Sequence, residues 1–333
     1  MAARALDRGV DFLLARQGAD GLWRDFLTPA GEASEWPTAV IAAALRQAGG
    51  DAAALRRAAD ALVARQNDDG GWGYNEDVPS DADSTACALL FLAPTAGLES
   101  ACRRAARCLV GHQRDGGGVA TYRDPREIRA FMGVGRWMRF GGWCSPHTEV
   151  TATAGRALAA LAPECDAEAA AAWHHVRSRQ SRDGSWSSYW WASPHYATLQ
   201  ACGLALAADD EHAVRRAAGW ALRLQDEDGG WSAPGTRASA FATALALAIL
   251  VQAGAPREAV ERATARLAGL QEGDGGWPSH PIMRIPLPGD VDPDRRRRLR
   301  LGGRGIVVRD QHRTFTTAAC LAALAQVRIT RSD

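Results

Sequence analysis

The sequence predicts an all-α protein, an (α/α)6 barrel of six outer–inner helix pairs. A corner motif recurs first: QGADGLW begins at Gln17, QNDDGGW at Gln66, QSRDGSW at Gln180, QDEDGGW at Gln225 and QEGDGGW at Gln271. A copy without the tryptophan, QRDGGGV, begins at Gln113. The steps between these glutamines are 49, 47, 67, 45 and 46 residues, the self-similarity of a repeat architecture. Around every corner an amphipathic stretch comes before and an almost purely apolar one after. A helix apolar all round is buried on every side, whereas an amphipathic one faces solvent, so two concentric rings result.

Each element follows from local chemistry. The outer type is DAAALRRAADALVARQ, rich in Ala, Leu and Arg. It runs into Asp-Gly-Gly, whose glycines supply the positive-φ turn that ends a helix. The inner type follows, in order TAVIAAAL, STACALLFLA, VTATAGRALAAL, ATLQACGLALA, FATALALAIL and FTTAACLAAL. An open solenoid would use the same units; six of them with a uniformly buried inner set favour closure. The corner tryptophans are expected between neighbouring units, each glutamine bonding adjacent backbone.

Composition narrows the function. The 333 residues carry a formal net charge of +1, which gives no reason to expect nucleic acid. No apolar run reaches the roughly 18 residues of a membrane span, and the N-terminus mixes charged with apolar residues, so an exported or membrane-spanning protein is not expected. The seven cysteines (Cys87, Cys102, Cys108, Cys144, Cys165, Cys202 and Cys320) are odd in number and form no CxxC pair. Several lie in alanine-rich runs where a thiol packs as a small hydrophobe, which favours a cytoplasmic location.

The inner helices superimpose on Thr38, Thr85, Thr151, Thr198, Thr243 and Thr317, and two residues earlier stand Trp36, Asp83, Glu149, Tyr196, Phe241 and Phe315. Four aromatics and two carboxylates thus share one level near the inner-helix N-termini. Facing a central cavity, such a ring suits carbocation chemistry, because π-faces stabilise a cation without a quenching lone pair. A carboxylic acid among apolar walls stays protonated and can act as an acid, and excluded water spares the intermediate. Otherwise the aromatics fill a core and Asp83 serves a helix start.

The chain is expected to form one barrel domain over residues 1–333, with long rim segments at 119–147 and 278–312. Both insertions lie between a corner and its inner helix, on the rim of Asp83, where they could cover a cavity mouth. They carry Arg123, Arg129, Arg136 and Arg139, and the run Arg295 to Arg298. Arg129, Arg136 and Arg139 are candidates for clamping a diphosphate; the alternative is a solvated surface.

The Gln-x-x-x-Asp-Gly-x-Trp repeats resemble the QW motifs of the squalene-hopene cyclase, oxidosqualene cyclase and class II diterpene cyclase superfamily, whose toroid also occurs in protein prenyltransferase β-subunits. The stretch PSDADSTA looks like that superfamily's Asp-x-Asp-Asp-Thr-Ala signature, set after a Gly-Gly-aromatic turn. The resemblance implies a protonation-initiated cyclase acting on an isoprenoid: a prenyl diphosphate, a prenylated compound or a linear terpene. Asp83 matches the central aspartate that protonates an alkene or epoxide and Asp81 the first, while Ser84 stands where the last aspartate is expected. Asp81 and Ser84 would support the acid, Ser84 by hydrogen-bonding Asp83. Trp36, Tyr196, Phe241 and Phe315 would stabilise cations, with Glu149 a second carboxylate. His147 and His195 would re-protonate the acid or take the final proton. Family cyclases usually carry two barrels; one implies a smaller substrate or a dimeric partner.

No cofactor is expected, apart from magnesium if the substrate is a diphosphate. A homodimer and a peripheral membrane contact stay open. Two alternatives stand beside the cyclase. One is a non-catalytic isoprenoid-binding barrel whose acid motif has decayed at Ser84. The other is a zinc-dependent prenyltransferase-like protein, for which Asp310 with His312, or Cys144 with His147, offers at most two ligands.

Overall fold

The computed structural model describes residues 2–298 and 305–330. Of the run Arg295 to Arg298, the side chains of Arg296, Arg297 and Arg298 lie outside the described residues.

The outer helices are α1 (Ala2–Leu14), α3 (Ala52–Ala64), α5 (Glu99–His112), α8 (Asp166–Arg177), α10 (Glu211–Arg223) and α12 (Arg257–Gly269). The inner helices are α2 (Glu35–Ala48), α4 (Ala82–Leu92), α7 (Thr148–Ala159), α9 (His195–Ala207), α11 (Ala240–Gln252) and α14 (Thr314–Thr330). Each inner helix packs on the next, and α14 returns to α2, so the inner ring is closed. Every inner helix enters from the rim that carries the corners and runs away from it.

The corner chemistry explains the closure. Each corner glutamine Nε2 donates to the glycine carbonyl four residues on and to a carbonyl of the next outer helix. Gln66 reaches Gly70 at 2.8 Å and Ala101 at 2.9 Å. Gln271 reaches Gly275 and, across the seam of the ring, Ala5, both at 2.8 Å. The expectation for glutamine is met in all six corners. The indole N–H of Trp72 donates to the Leu62 carbonyl at 2.7 Å, and its backbone N–H to Thr85 Oγ1 at 3.0 Å. The register threonines therefore fasten inner helices to corners; Thr151 does the same for Val119, the residue replacing tryptophan, at 2.9 Å. Gly70 shows why glycine is needed: its φ is +87°, and a Cβ would stand 2.6 Å from the Arg104 carbonyl oxygen.

Trp23, Trp72, Trp186 and Trp277 are wholly buried. Burying a tryptophan removes about 150–250 Å² from water, roughly 4–6 kcal/mol as an upper figure.

The rim is irregular and, unlike the barrel, was not foreseen in its strands. Strands β1 (Asp25–Thr28) and β2 (Gly31–Ala33) form one antiparallel ribbon, β3 (Met283–Ile285) and β4 (Ile306–Val308) another. Short helices α6 (Pro125–Phe131) and α13 (Pro293–Arg298) lie in the two long segments. Those segments are joined: the backbone N–H groups of Gly142 and Trp143 donate to the Pro288 carbonyl at 2.9 and 3.1 Å.

Candidate active site

Asp81 precedes α4 in extended conformation and caps it, accepting from the Ser84 N–H at 2.8 Å and the Ser84 hydroxyl at 2.7 Å. Ser84 thus bonds Asp81 rather than Asp83, which corrects the sequence expectation. The reason is the cap geometry, which folds the residue three positions on back over the capping carboxylate.

Asp83, in the first turn of α4, reaches a cavity of about 560 Å³ at the rim. Its Oδ1 is inaccessible and has no hydrogen-bond partner. Burial first, then the charges of Asp81 and Glu149, push its carboxyl up to about 8, against the opposing Thr153 hydroxyl. Asp81 is raised by burial to about 6, restrained by its bonds from Ser84. The two environments push the acids apart, so near neutral pH Asp83 holds its proton beside an ionised Asp81.

The cavity wall is otherwise apolar. Trp36, Tyr74, Tyr122, Trp143, Trp190 and Trp191 supply its aromatic surface, and the long rim segments and the β1–β2 ribbon roof it. Among the described residues that line it, Asp81 and Asp83 are the only acids and there is no basic side chain.

The predicted ring does not open onto this space as expected. Trp191, from the connection between α8 and α9, occupies its centre. Its ring lies 4.0 Å from Tyr196, 5.3 Å from Phe241 and 5.5 Å from Phe315, with interplanar angles of 20 to 22°. Trp36 shares the cavity wall with Trp191, their rings 5.9 Å apart. Tyr196, Phe241 and Phe315 are buried beneath Trp191 and do not line the cavity.

Glu149 is fully buried and does not line the cavity either. Its Oε1 accepts from the Tyr189 and Trp190 N–H groups at 2.6 and 2.7 Å, so it anchors the loop that delivers Trp190 and Trp191. Burial raises its pKa, and its Oε2 has no partner. His147 stacks on Tyr189 at 3.6 Å and donates from Nε2 to the Gly142 carbonyl at 2.9 Å. His195 turns toward Trp220, 4.9 Å away on α10. Burial lowers these imidazoles to about 3 and about 4, so both are neutral, and neither reaches the cavity.

The arginines lie elsewhere. Arg129 covers the Phe140 ring at 5.4 Å, Arg136 and Arg139 are exposed, and none of the three lines the cavity. Of the zinc pairs, Asp310 accepts from the Thr316 N–H at 2.6 Å, His312 meets Glu32 at 3.0 Å, and His147 is held by Gly142. No group of three or more His, Cys, Asp or Glu that could hold a metal occurs among the described residues.

Trp190 and Trp191 were missed by sequence reasoning. Their signal was the aromatic density of SSYWWASPHY, which belongs to no period.

The profile of the squalene-hopene cyclase C-terminal domain matches residues 74–284. The structure of the type II terpene cyclase MstE from Scytonema, in complex with geranylgeranyl dihydroxybenzoate (substrate), is similar with a TM-score of 0.87 and 29% identity over 98% of this chain and 97% of that one. A protein from Actinoplanes is 31% identical with a TM-score of 0.87, over 98% of this chain and 100% of its own. A stretch of 78 residues, 22% of this chain, is 40% identical to a copalyl diphosphate synthase of Streptomyces cyslabdanicus, of which it spans 14%.

Proposed function

The chain belongs to the squalene-hopene cyclase C-terminal domain family, and from that premise we propose how it acts. It is a class II terpene cyclase-type enzyme that cyclises an isoprenoid by protonation. The observation that carries this is the Asp83 carboxyl on the wall of an apolar cavity, its buried Oδ1 without a hydrogen-bond partner, where burial favours the protonated form.

Asp83 acts as the general acid, passing its proton to a terminal alkene or epoxide carbon. Asp81, held by Ser84, supplies negative charge beside the cation that forms. Trp36, with Trp190 and Trp191, offers π-faces along the chain as the charge migrates. The apolar roof keeps bulk water out. Glu149 positions the tryptophan loop; Tyr196, Phe241 and Phe315 support it from below. Loss of a proton from the last cation ends the reaction.

We take one barrel spanning the chain as the catalytic unit. A cavity of about 560 Å³ lies within the range of small-molecule sites, which supports a prenyl chain with a compact head group over a triterpene. Geranylgeranyl dihydroxybenzoate, the substrate of the Scytonema enzyme, is the first compound to test, followed by geranylgeranyl diphosphate, farnesyl diphosphate and squalene. Magnesium enters this proposal only as counter-ion to a diphosphate. No described helix is long and apolar enough to cross a membrane. Leu27, Trp137, Val291 and Ile306 nevertheless stand exposed on the rim segments, which supports a peripheral membrane contact there.

Incubation with these substrates and product analysis tests the function. Cyclic products from the wild type and none from Asp83→Asn establish the acid. Tight binding with no turnover by the wild type establishes instead the non-catalytic binder that Ser84 keeps in view.

A further inference from the structure

We propose that Trp191 is a specificity-determining residue, the partition between the reaction cavity and a second, wet hollow on the barrel axis, and that it decides whether the reaction ends in an alkene or an alcohol. This rests on the cyclase function above.

The upper side of Trp191 faces the cavity, and it is only 2% exposed. Tyr196, Phe241 and Phe315 pack beneath it, so these four rings form one layer across the barrel. Below the layer the Arg156 side chain crowds Gly203, where a Cβ would stand 2.6 Å from its Nε, yet the axial residues are not close-packed. On five inner helices the residue five positions past the register threonine is partly accessible: Ala43, Leu90, Arg156, Gly203 and Ala322. Their neighbours turned toward the outer ring, Ala42, Leu89 and Ala157 among them, are wholly buried. The accessible surface therefore opens onto the axis.

The lower hollow carries polar groups among its small apolar residues. Arg156 gives one hydrogen bond to Gln200 Oε1, and its guanidinium faces no carboxylate. The Oε1 atoms of Gln252 and Gln326, further along the same bore, are buried without a partner. Hollows lined by such groups hold water, whereas apolar ones stay dry.

Water is the reagent a cation cascade must avoid. With the partition intact, a carbon next to the final cation loses its proton and an alkene forms. If water reaches the cation, an oxygen lone pair forms the C–O bond, the resulting oxonium loses a proton, and an alcohol forms. Each route returns the one proton that started the reaction; the alcohol contains one water more.

The test is product analysis of wild type, Trp191→Ala, Trp191→Phe and the double variant Trp191→Ala/Arg156→Met in H2(18)O, with circular dichroism confirming the fold. Expected is an 18O-labelled cyclic alcohol in Trp191→Ala at least several-fold above wild type, less of it in Trp191→Phe, and a fall in the double variant as the hollow dries. If Trp191→Ala does not fold, Trp191→Phe decides, with the same expected rise. A folded variant whose alkene-to-alcohol ratio matches wild type overturns the partition while leaving the cyclase intact. A wild type that cyclises none of the substrates overturns both.

Discussion

The corners and the rim are built on opposite terms. In the corners one set of contacts is used again and again: glutamine to two carbonyls, indole to a carbonyl, threonine to a backbone N–H. Among the described residues of the rim the contacts are individual ones. The tryptophan loop hangs from Glu149, and Trp143 donates its indole N–H to the Pro286 carbonyl at 3.0 Å. The second kind of structure forms most of the cavity wall, and the inner helices α2 and α4 add Trp36 and Asp83. The periodic part of the chain supplies rigidity and the acid, and the aperiodic part supplies the roof and most of the aromatic wall, loops on a fixed scaffold carrying function.

The largest effect expected is chemical. Asp83→Asn leaves the corners untouched and should lower kcat/KM by about 10²–10⁴-fold or more, the usual worth of a general acid, while the melting curve stays cooperative. A melt as disrupted as that of a corner variant would erase the division. The same acid fixes a pH dependence. Asp83 must be protonated to act, so kcat/KM should be level below about 8 and fall above it. Stability runs the same way. The folded state holds a proton that the unfolded carboxyl releases near 4, so Asp83 favours folding at low pH and loses that advantage as pH rises toward 8. In Asp83→Asn this slope should flatten, read as denaturant midpoint against pH.

A corner should break in the opposite sense. Trp72→Ala removes a wholly buried indole and should cost about 3–5 kcal/mol in denaturant unfolding, with folded molecules retaining turnover. Gln271→Ala loses the bond to Ala5 that closes the seam and the corner bond to Gly275, and should cost about 1–3 kcal/mol. If its effect matched that of a surface substitution, the closure would rest on helix packing alone. Smallest is Arg136→Ala, an exposed site off the cavity, where stability should move by no more than about 0.5 kcal/mol and KM for a diphosphate substrate should stay put. A large rise in that KM would restore the diphosphate clamp.

Legibility followed the same division. The barrel, its six pairs and the level of Asp83 could be read because a corner glutamine and a register threonine mark every unit, whatever the length of the segment between them. The occupant of the centre could not, because Trp191 arrives on a connection with no counterpart in the other units. A register alignment sees only residues on the helices and leaves the axis looking empty. Ser84 was misread for a related reason: sequence adjacency to Asp83 suggested a partner, whereas the turn of the cap carries its hydroxyl to Asp81. The β ribbons escaped because strands of 3 or 4 residues leave no alternating pattern long enough to detect.

One consequence of the common direction of the inner helices concerns the electric field at the cavity. Six aligned peptide columns present their positive ends to the level where a carbocation would form, each worth about half an elementary charge. Left alone, that backbone would repel the intermediate. Asp81, ionised and held by Ser84 at one of those ends, sets a negative charge against that field, and Asp83 beside it adds a second only once it has given up its proton.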